Sequence, residues 1–469
     1  MPAAYTSRVT MRAVRDPGGS SYDAQSDSPP ILEPSSAVEP IVKRAAPPTW
    51  QRTFLALRHR DFAVLMSSAL IHMMVMQMGM VAFGYMAYEL SGSATALGLM
   101  GLAWGIPMLT LSLVGGVVAD RVPRRTIMMV TQATIGTGAL INAVLIFTGT
   151  MQLWHLFAVA LIQGTSFAFN MPARQALIAE LVGQEDLHNA IALNNANMNL
   201  NRILGPALAG FLIATPAVGV GGVFFLMATA YIVVIALIFQ IRGGQKRAGT
   251  SKRPPIDQLI EGLQFIRASP RLLTLLSLGF IPMLLGMHYQ MLMPVFALGL
   301  LKVGPEGLGL LSMASGVGAL VGSLAIAALG SFRGQDRLQS MLGIGFGVSL
   351  VGFALAPNFV VSLGVLVIVG ATSAAYQSLN NTLVMENTPR EFHGRVMSVY
   401  MMTFSLMPLA TVPIGWLVDQ IGARLTVGTS GALLAIVVAV IAFSSGLAAV
   451  RKRRQNAGDS ANQAESAIA

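Results

Sequence analysis

Twelve apolar stretches, each about twenty residues long, constrain this chain more than any other feature of its sequence. A helix of about 20 residues crosses the hydrocarbon core of a bilayer and satisfies its own backbone hydrogen bonds there. Only 11% of the residues are charged and the mean hydropathy is +0.66, whereas a soluble domain carries roughly a quarter charged residues. The sequence therefore predicts an all-α membrane protein with twelve transmembrane helices.

The predicted spans form two sets of six, separated by a basic loop at residues 242–270. The spans of the first half, residues 51–241, are Phe62–Tyr88, Ala96–Ala119, Ile127–Thr148, Leu153–Ala173, Ile191–Ile213 and Gly222–Gln240. The spans of the second half, residues 271–447, are Leu272–Leu298, Leu308–Leu329, Leu338–Ala356, Val360–Leu383, Val396–Asp419 and Leu425–Leu447. Residues 1–50 are rich in Pro, Ser and Ala and lack helical periodicity, which predicts a disordered tail. Residues 448–469 form a second tail.

The positions of Lys and Arg predict which side of the membrane each loop occupies, because cytoplasmic loops retain these residues. Apart from Lys302 and Arg424, the basic residues between the spans fall on the side that also carries both termini. The sequence therefore predicts a multi-pass protein of the cell (inner or plasma) membrane with both termini in the cytoplasm.

A weak internal repeat relates the two halves. Five residues of the first half recur 206 residues later in the second half. Halves related in this way are typical of transporters whose binding site lies between them, near the membrane midplane. The loop between the halves contains an amphipathic stretch, Ile256–Ile266, which predicts a short helix. The repeated residues are Gly164, Ala168, Leu177, Glu180 and Glu185, matched by Gly370, Ala374, Leu383, Glu386 and Glu391.

Several functional classes find no support in the residues. The chain contains no cysteine, so it forms neither a disulfide nor a thiolate metal site. Its net charge of +10 is spread between apolar runs rather than gathered in one domain, which argues against nucleic-acid binding. The sequence shows no G-x-x-x-x-G-K-[ST] phosphate loop, no nucleophile with a base, and no carboxylate pair at matching depth in the spans. We therefore expect no cofactor, no metal and no enzymatic activity.

The loop after the second predicted span carries a specific motif, Gly116-Val117-Val118-Ala119-Asp120-Arg121-Val122-Pro123-Arg124-Arg125. It resembles the G-x-x-x-D-R-x-G-R-R signature of the major facilitator superfamily, with Pro123 in place of the second glycine. The resemblance covers residues from Phe62 to about Leu447 and implies two six-helix pseudo-repeat bundles that carry a small molecule across the membrane.

Further segments resemble one branch of that superfamily. The fifth span contains Gly205-Pro206-Ala207-Leu208-Ala209-Gly210, similar to the G-P-x-x-G-G element of antiporter-type drug exporters. Its Gly205, Pro206 and Gly210 are candidates for a helix-bend motif, with close helix packing alone as the alternative. The segments Asn170-Met171-Pro172-Ala173-Arg174-Gln175 and Gly394-Arg395-Val396-Met397-Ser398 resemble the exporters that include the enterobactin and macrolide efflux proteins. Ala160 stands where many drug/proton antiporters of this kind have an arginine.

Charged residues at the predicted cytoplasmic helix ends form a candidate gate. Opposite charges from the two halves can hold one face of a transporter closed and separate when the cavity opens. The alternative for the motif residues is that they only set the topology. The gate candidates are Asp120, Arg121, Arg124, Arg125, Arg174, Glu180, Glu386 and Arg395.

Polar residues inside the spans are candidates for the substrate and proton pathway, because such groups are costly in a membrane. Arg202 lies near the midplane of the fifth span, and pairing with the backbone or with nearby asparagines is the alternative to a transport role. His72 and His288 are candidate proton carriers because imidazole titrates near neutral pH. Both stand in Met-rich segments, for which packing or lipid contact is the alternative. The remaining candidates are Gln77, Asn170, Tyr289, Gln290, Tyr376 and Asn380.

The sequence as a whole predicts a secondary transporter that exports a small hydrophobic or amphiphilic compound, such as a drug or siderophore, in exchange for protons. Its expected partners are that compound, protons and the lipid bilayer. The oligomeric state stays open, and a monomer is compatible with the sequence. The alternatives are an importer or facilitator of a small metabolite or lipid, and a membrane sensor or scaffold that transports nothing.

Overall fold

A computed structural model describes residues 55–243, 255–330, 332, 334–405 and 407–443. Every regular element in these ranges is a helix, as the sequence predicts. The described residues belong to one compact unit that begins at Thr49. The predicted tails, and residues 244–254 of the central loop, lie outside the described residues.

Among its described residues, the first half contains five helices that supply six spans. A 3-10 turn, Leu55–Arg58, precedes them. Tight connections join consecutive helices; at the first of these Gly92 adopts φ 60° and donates its N–H to the carbonyl oxygen of Tyr88. The helices are α1 (Arg60–Ser91), α2 (Ala94–Arg121), α3 (Arg124–Phe147), α4 (Leu153–Ala214) and α5 (Gly219–Gln240).

Helix α4 consists of two arms that meet at Gly183. This residue has φ 68° and ψ −175°, a backbone conformation that is essentially restricted to glycine. The first arm, Leu153–Gly183, runs ten residues past the end predicted at Ala173. The prediction was wrong there because hydropathy falls at Arg174-Gln175 while the helix continues. The second arm, residues 184–214, contains the fifth predicted span.

The second half follows a short amphipathic helix in the central loop. That helix is α6 (Pro255–Ala268), which the sequence predicts. The helices of the second half are α7 (Pro270–Leu285), α8 (Gly304–Leu329), α9 (Gln335–Leu355), α10 (Phe359–Glu386), α11 (His393–Ser405), α12 (Met407–Ile421) and α13 (Ala423–Phe443).

The prediction of one continuous seventh span, Leu272–Leu298, is wrong. Helix α7 ends at Leu285, a 3-10 turn follows at Met287–Gln290, and a π-helical segment covers Val295–Leu300. Pro282 and Pro294 explain the irregular backbone, because proline has no N–H to donate and its ring crowds the carbonyl four residues earlier.

Ten helices or arms among the described residues are long and apolar enough to cross a membrane. Residues 184–214 are too polar to meet that criterion alone, and α11 and α12 are each too short. Together these segments account for the twelve predicted spans. Large apolar side chains on the outside of the bundle, such as Phe443 at 71% exposure and Val360 at 75%, form the surface expected to face lipid.

Glycines allow equivalent helices of the two halves to pack in the same way. A Cβ added at Gly164 on α4 would overlap the carbonyl oxygen of Trp104 on α2. A Cβ at Gly370 on α10 would likewise overlap the carbonyl oxygen of Ser315 on α8. Gly164 and Gly370 are a matched pair in the sequence repeat, so the repeat reflects backbone contact between the second and fourth spans of each half.

Helix α6, which we call the linker helix, packs against the second half. Glu261 forms an ion pair with Arg395 of α11, with 3.0 Å between the charged atoms. The rings of Phe265 and Phe392 stack with their centroids 4.2 Å apart. Gly243, which precedes the undescribed part of the central loop, is bonded to the first half. Its backbone N–H donates a hydrogen bond to the Asp61 carboxylate at 2.9 Å.

The two halves meet at the end of the bundle where α1 ends and α2 begins. We call this the outer end, and the opposite end, which carries the basic loops, the inner end. Helix α2 packs against α12, and the second arm of α4 packs against α8. A Cβ on Gly98 would lie 2.5 Å from the carbonyl oxygen of Thr411, and one on Gly210 would lie 2.7 Å from the Cα of Gly309. Backbones of the two halves are therefore in direct contact at the outer end.

Candidate functional site

A cavity lies between the two halves, directly below their contacts at the outer end. Its volume is about 60 Å³, and it lies within a partly open space of about 520 Å³ between the helices. Its wall combines residues of α1, the second arm of α4, the irregular segment after α7, and α8. The lining residues are Gln77, Met80, Val81, Arg202, Pro206, Gln290, Met293, Pro294, Leu308, Ser312 and Ser315.

Arg202 is the one charged residue in this lining. It lies twelve residues before the end of α4, hence about 18 Å from the outer end of that helix. Among the described residues its guanidinium makes no hydrogen bond and no ion pair. A partly buried cation without a counter-charge is thus presented to the cavity.

Close helix packing positions the polar groups around Arg202. A Cβ on Gly205 would lie 2.5 Å from the Cβ of Gln77, so this glycine lets the second arm of α4 approach α1. Across the cavity, the Tyr289 hydroxyl lies 2.6 Å from the Ser315 hydroxyl, and the Gln290 amide donates to the Tyr289 oxygen at 3.4 Å. Amides and hydroxyls from both halves therefore line one space.

The other predicted pathway residues lie inside the individual halves. In the first half, Asn170 donates to the Thr131 hydroxyl at 2.7 Å. In the second half, the Tyr376 hydroxyl donates to the carbonyl oxygen of Leu278 at 2.6 Å, and Asn380 bonds to Tyr400 at 3.3 Å. These residues hold neighbouring helices together and are not part of the cavity wall.

The two predicted proton carriers are buried in different halves. His72 and His288 are each 2% exposed, and neither ring nitrogen of either residue has a hydrogen-bond partner. The His288 ring lies beside the backbone of Leu284. Neither histidine lines the cavity.

The predicted gate residues form contacts within each half. Arg124 pairs with Glu180 at 2.7 Å, and Arg125 donates to the carbonyl oxygen of Phe239 and lies over its ring. Arg395 pairs with the linker helix, as described above. Arg121 and Glu386 are exposed at the inner end, and the side chain of Asp120 lies outside the described residues.

Arg174 occupies a different environment from the other gate candidates. Because the first arm of α4 continues to Gly183, the side chain is inside the first half and only 6% exposed. It lies within electrostatic reach of His72 and Tyr231. All three guanidinium nitrogens lack a hydrogen-bond partner.

The 3-10 turn before α1 is anchored at the inner end by Asp186. This carboxylate is 4% exposed and accepts hydrogen bonds from Arg58 and His59, both at 2.9 Å. The hydrogen bond from His59 and the charge of Arg58 hold the pKa of Asp186 below its ordinary value, although burial opposes them.

Asp419 links the halves at the outer end, and sequence reasoning missed it. Its carboxylate accepts from the Ser93 hydroxyl at 2.6 Å, the Ala94 N–H at 2.7 Å, and the N–H and hydroxyl of Thr95 at 2.9 and 2.6 Å. It therefore caps the N-terminus of α2 from the other half of the molecule. The sequence did contain one signal for this contact. Asp419 stands at the end of one predicted span, and Ser93-Ala94-Thr95, a typical helix start, stands before another.

Sequence reasoning also missed most of the uncharged residues of the cavity wall. Met80, Leu308, Ser312 and Ser315 carry no charge and break no pattern in an apolar span, so only the fold identifies them. The described residues contain no group of three or more His, Asp or Glu side chains that could hold a metal ion.

Comparisons with known proteins agree with this architecture. A family model described as transmembrane secretion effector matches residues 51–467. The multidrug efflux pump Tap of Mycolicibacterium fortuitum is 25% identical, over 74% of this chain and 86% of its own length. Macrolide efflux protein A of Streptococcus pyogenes is 23% identical, over 84% of this chain and 95% of its own length.

The same fold occurs in a solved bacterial homolog of the human lysosomal transporter Spinster, in an inward-facing and unoccupied conformation. The TM-score is 0.66 at 12% sequence identity, with 82% of this chain and 96% of that chain covered.

Proposed function

The chain belongs to the transmembrane secretion effector family of the major facilitator superfamily, and on that premise we propose that it exports a small hydrophobic or amphiphilic compound by alternating access coupled to protons. The cavity between the two halves carries this proposal. It has apolar walls that include Met80 and Met293, and polar groups from both halves. Methionine suits varied apolar ligands because its side chain is flexible and polarizable. The multidrug and macrolide efflux relatives favour export over uptake.

The charge in the cavity favours a particular kind of substrate. Arg202 supplies a cation, and the lining residues include no carboxylate. In a site of low dielectric, a second cation is repelled and an acceptor group is attracted. The expected substrate is therefore neutral or carries a carboxylate or carbonyl that accepts from Arg202, while its apolar part lies against the methionines.

Alternating access is supported by the distribution of contacts between the halves. Asp419 links the halves at the outer end, and Gly98 and Gly210 let their backbones meet there. At the inner end, the Arg124 ion pair joins two helices of the first half, and the Arg395 ion pair joins α11 to the linker helix. With the predicted orientation, this conformation is closed to the outside. Export requires the contacts at the outer end to separate while the inner ends come together.

Proton coupling is assigned to a histidine, because the spans carry acidic residues only near their ends. His288 is the better of the two candidates. The guanidinium of Arg174 opposes a second positive charge on His72, whereas no described cation lies against His288. Its place in the irregular segment after α7 puts it next to Tyr289 and Gln290, close to the cavity.

Efflux from cells tests the proposal directly. Cells that express the protein are loaded with a fluorescent carboxylate, its methyl ester, or a cationic dye of similar size, and the retained fluorescence is followed with and without a protonophore. We expect proton-dependent efflux of the carboxylate and the ester, with Arg202→Gln lowering efflux of the carboxylate at least tenfold and the ester less. His288→Asn should abolish the dependence on the proton gradient.

Arg267→Gln is the matched control, because it removes one positive charge from an exposed position on the linker helix. Preferred efflux of the cationic dye would contradict the role of Arg202. Gradient-driven accumulation instead of efflux would favour an importer, and no flux from correctly folded protein would favour a scaffold.

A further inference from the structure

A group of buried polar side chains in the first half has no place in the proposed transport cycle. It consists of His72 on α1, Gln132 on α3, Arg174 on α4 and Tyr231 on α5, which we call the buried cluster. The side chains are 2, 0, 6 and 2% exposed. Measured along their helices from the inner end, all four lie about 12–18 Å deep, so they share one level inside the membrane.

The four residues are close to one another. The rings of His72 and Tyr231 meet edge to face with their centroids 5.9 Å apart. Gln132 lies beside His72, and the Arg174 guanidinium is within electrostatic reach of both rings. Gly136 lies one turn after Gln132 and packs against Tyr231. A Cβ added at Gly136 would lie only 2.8 Å from the Tyr231 Cβ, so this position accommodates no side chain.

The polar atoms of this cluster are not satisfied by the protein. Both ring nitrogens of His72, both amide atoms of Gln132 and all three nitrogens of the Arg174 guanidinium lack hydrogen-bond partners. Leaving a buried polar group unpaired is costly, and several unpaired groups at one place imply that something else binds there.

The positive charge is also unmatched. The helices that form the cluster carry acidic residues only near their ends, Asp61 and Glu89 on α1 and Glu180 on the first arm of α4. Glu180 already binds Arg124, and among the described side chains no carboxylate pairs with Arg174. Arginine does not lose its proton in proteins, so burial cannot neutralise it as it can a lysine or histidine.

We propose that the buried cluster binds one small monovalent anion, chloride under ordinary conditions. Arg174 offers only donors, and Gln132, Tyr231 and neutral His72 each offer a further N–H or O–H. A cation is repelled by the guanidinium, and a water molecule satisfies hydrogen bonds without supplying the missing charge. The burial of all four side chains excludes a bulky ligand, so the site is separate from the substrate cavity.

Anion binding also explains how this half of the molecule tolerates Arg174. The ion would join α1, α3, α4 and α5 at one point, so that it acts as a structural counter-ion for the first half. Its binding should therefore raise thermal stability whether or not transport occurs.

Thermal unfolding of the purified full-length protein in detergent tests this proposal without any transport assay. Intrinsic fluorescence is followed in sodium gluconate and in increasing sodium chloride at constant ionic strength. We expect a saturable rise in Tm, on the order of 2 °C at ten times the dissociation constant, and bromide should replace chloride. An equal Tm in chloride and gluconate for the wild type would overturn the proposal.

Variants locate the effect. Arg174→Gln should abolish the response to chloride, whereas Arg267→Gln, an exposed control with the same charge change, should keep it. A full response in Arg174→Gln would overturn the assignment to this cluster. If Arg174→Gln does not fold, Gln132→Leu serves instead. It should need several-fold more chloride for the same rise in Tm, and an unchanged concentration dependence would again overturn the proposal.

Discussion

Removal of the Asp419 carboxylate should shift the protein towards an outward-open conformation. Asp419 accepts four hydrogen bonds from Ser93, Ala94 and Thr95 across the two halves, and these bonds exist only while the outer end is closed. Hydrogen bonds to charged groups contribute about 1.5–3 kcal/mol when buried, but Asp419 is exposed to solvent, so we count roughly 0.5 kcal/mol each. Asp419→Ala should therefore destabilise the closed state by about 2 kcal/mol, or roughly thirtyfold in the ratio of open to closed molecules.

The absence of native cysteine makes this shift measurable. Thr411 lies between the halves at the outer end and is 4% exposed, so Thr411→Cys supplies a single thiol that only the open state presents to the outside. The rate of reaction with a membrane-impermeant maleimide then reports the open population. We expect Asp419→Ala to raise this rate about thirtyfold and Asp419→Asn, which keeps one acceptor oxygen, to raise it only severalfold.

Asp336→Ala provides the matched control. Asp336 also pairs with a neighbouring side chain at a helix end, but its partner Arg271 belongs to the same half. Its removal should leave the labelling rate unchanged. Equal rates in Asp419→Ala and Asp336→Ala would refute the view that the capped N-terminus of α2 holds the outer end closed.

Three further perturbations follow from the packing and the inner end. Gly210→Ala would place a Cβ 2.6 Å from the carbonyl oxygen of Pro305, so it should raise the same labelling rate, whereas Gly364→Ala, which meets nothing within 4 Å, should not. Gly164→Ala and Gly370→Ala should each lower thermal stability by an amount equivalent to about 1–3 kcal/mol, measured as Tm in detergent, and a wild-type Tm in either variant would contradict the backbone contacts. The pKa of Asp186 is depressed in the folded state, so the ionised carboxylate stabilises the fold above the ordinary Asp range, and this stabilisation is lost as pH falls through the folded-state pKa. The Tm of Asp186→Asn should therefore be lower than that of wild type at pH 7. The difference should shrink on acidification below about pH 4.

Hydropathy was enough to predict most of the helical spans and the linker helix. These features depend on local composition, which the sequence states directly. The repeat of Gly164 and Gly370 also marked real contacts, since both glycines sit where two helices touch. The break after Leu285 was not predicted, because a change in backbone geometry inside an apolar stretch leaves hydropathy unchanged.

The cavity was predictable only in part. Gln77, Arg202 and Gln290 stood out as polar residues inside apolar spans, and all three line it. Tyr376, Asn380 and Asn170 stood out for the same reason but are used to join helices within one half. Composition cannot separate these two roles, because the face of a helix that meets the cavity is set by how the helices rotate against one another.

In the proposed transport cycle, two anchors around the central loop would limit how far the halves separate. Gly243 is hydrogen-bonded to Asp61 of α1. The linker helix contacts the second half through the Glu261–Arg395 ion pair and the stacked rings of Phe265 and Phe392. The intervening residues 244–254 can span at most about 40 Å. In the proposed cycle, the length of this loop sets an upper limit on the distance between its two anchors, and shortening the loop would lower that limit.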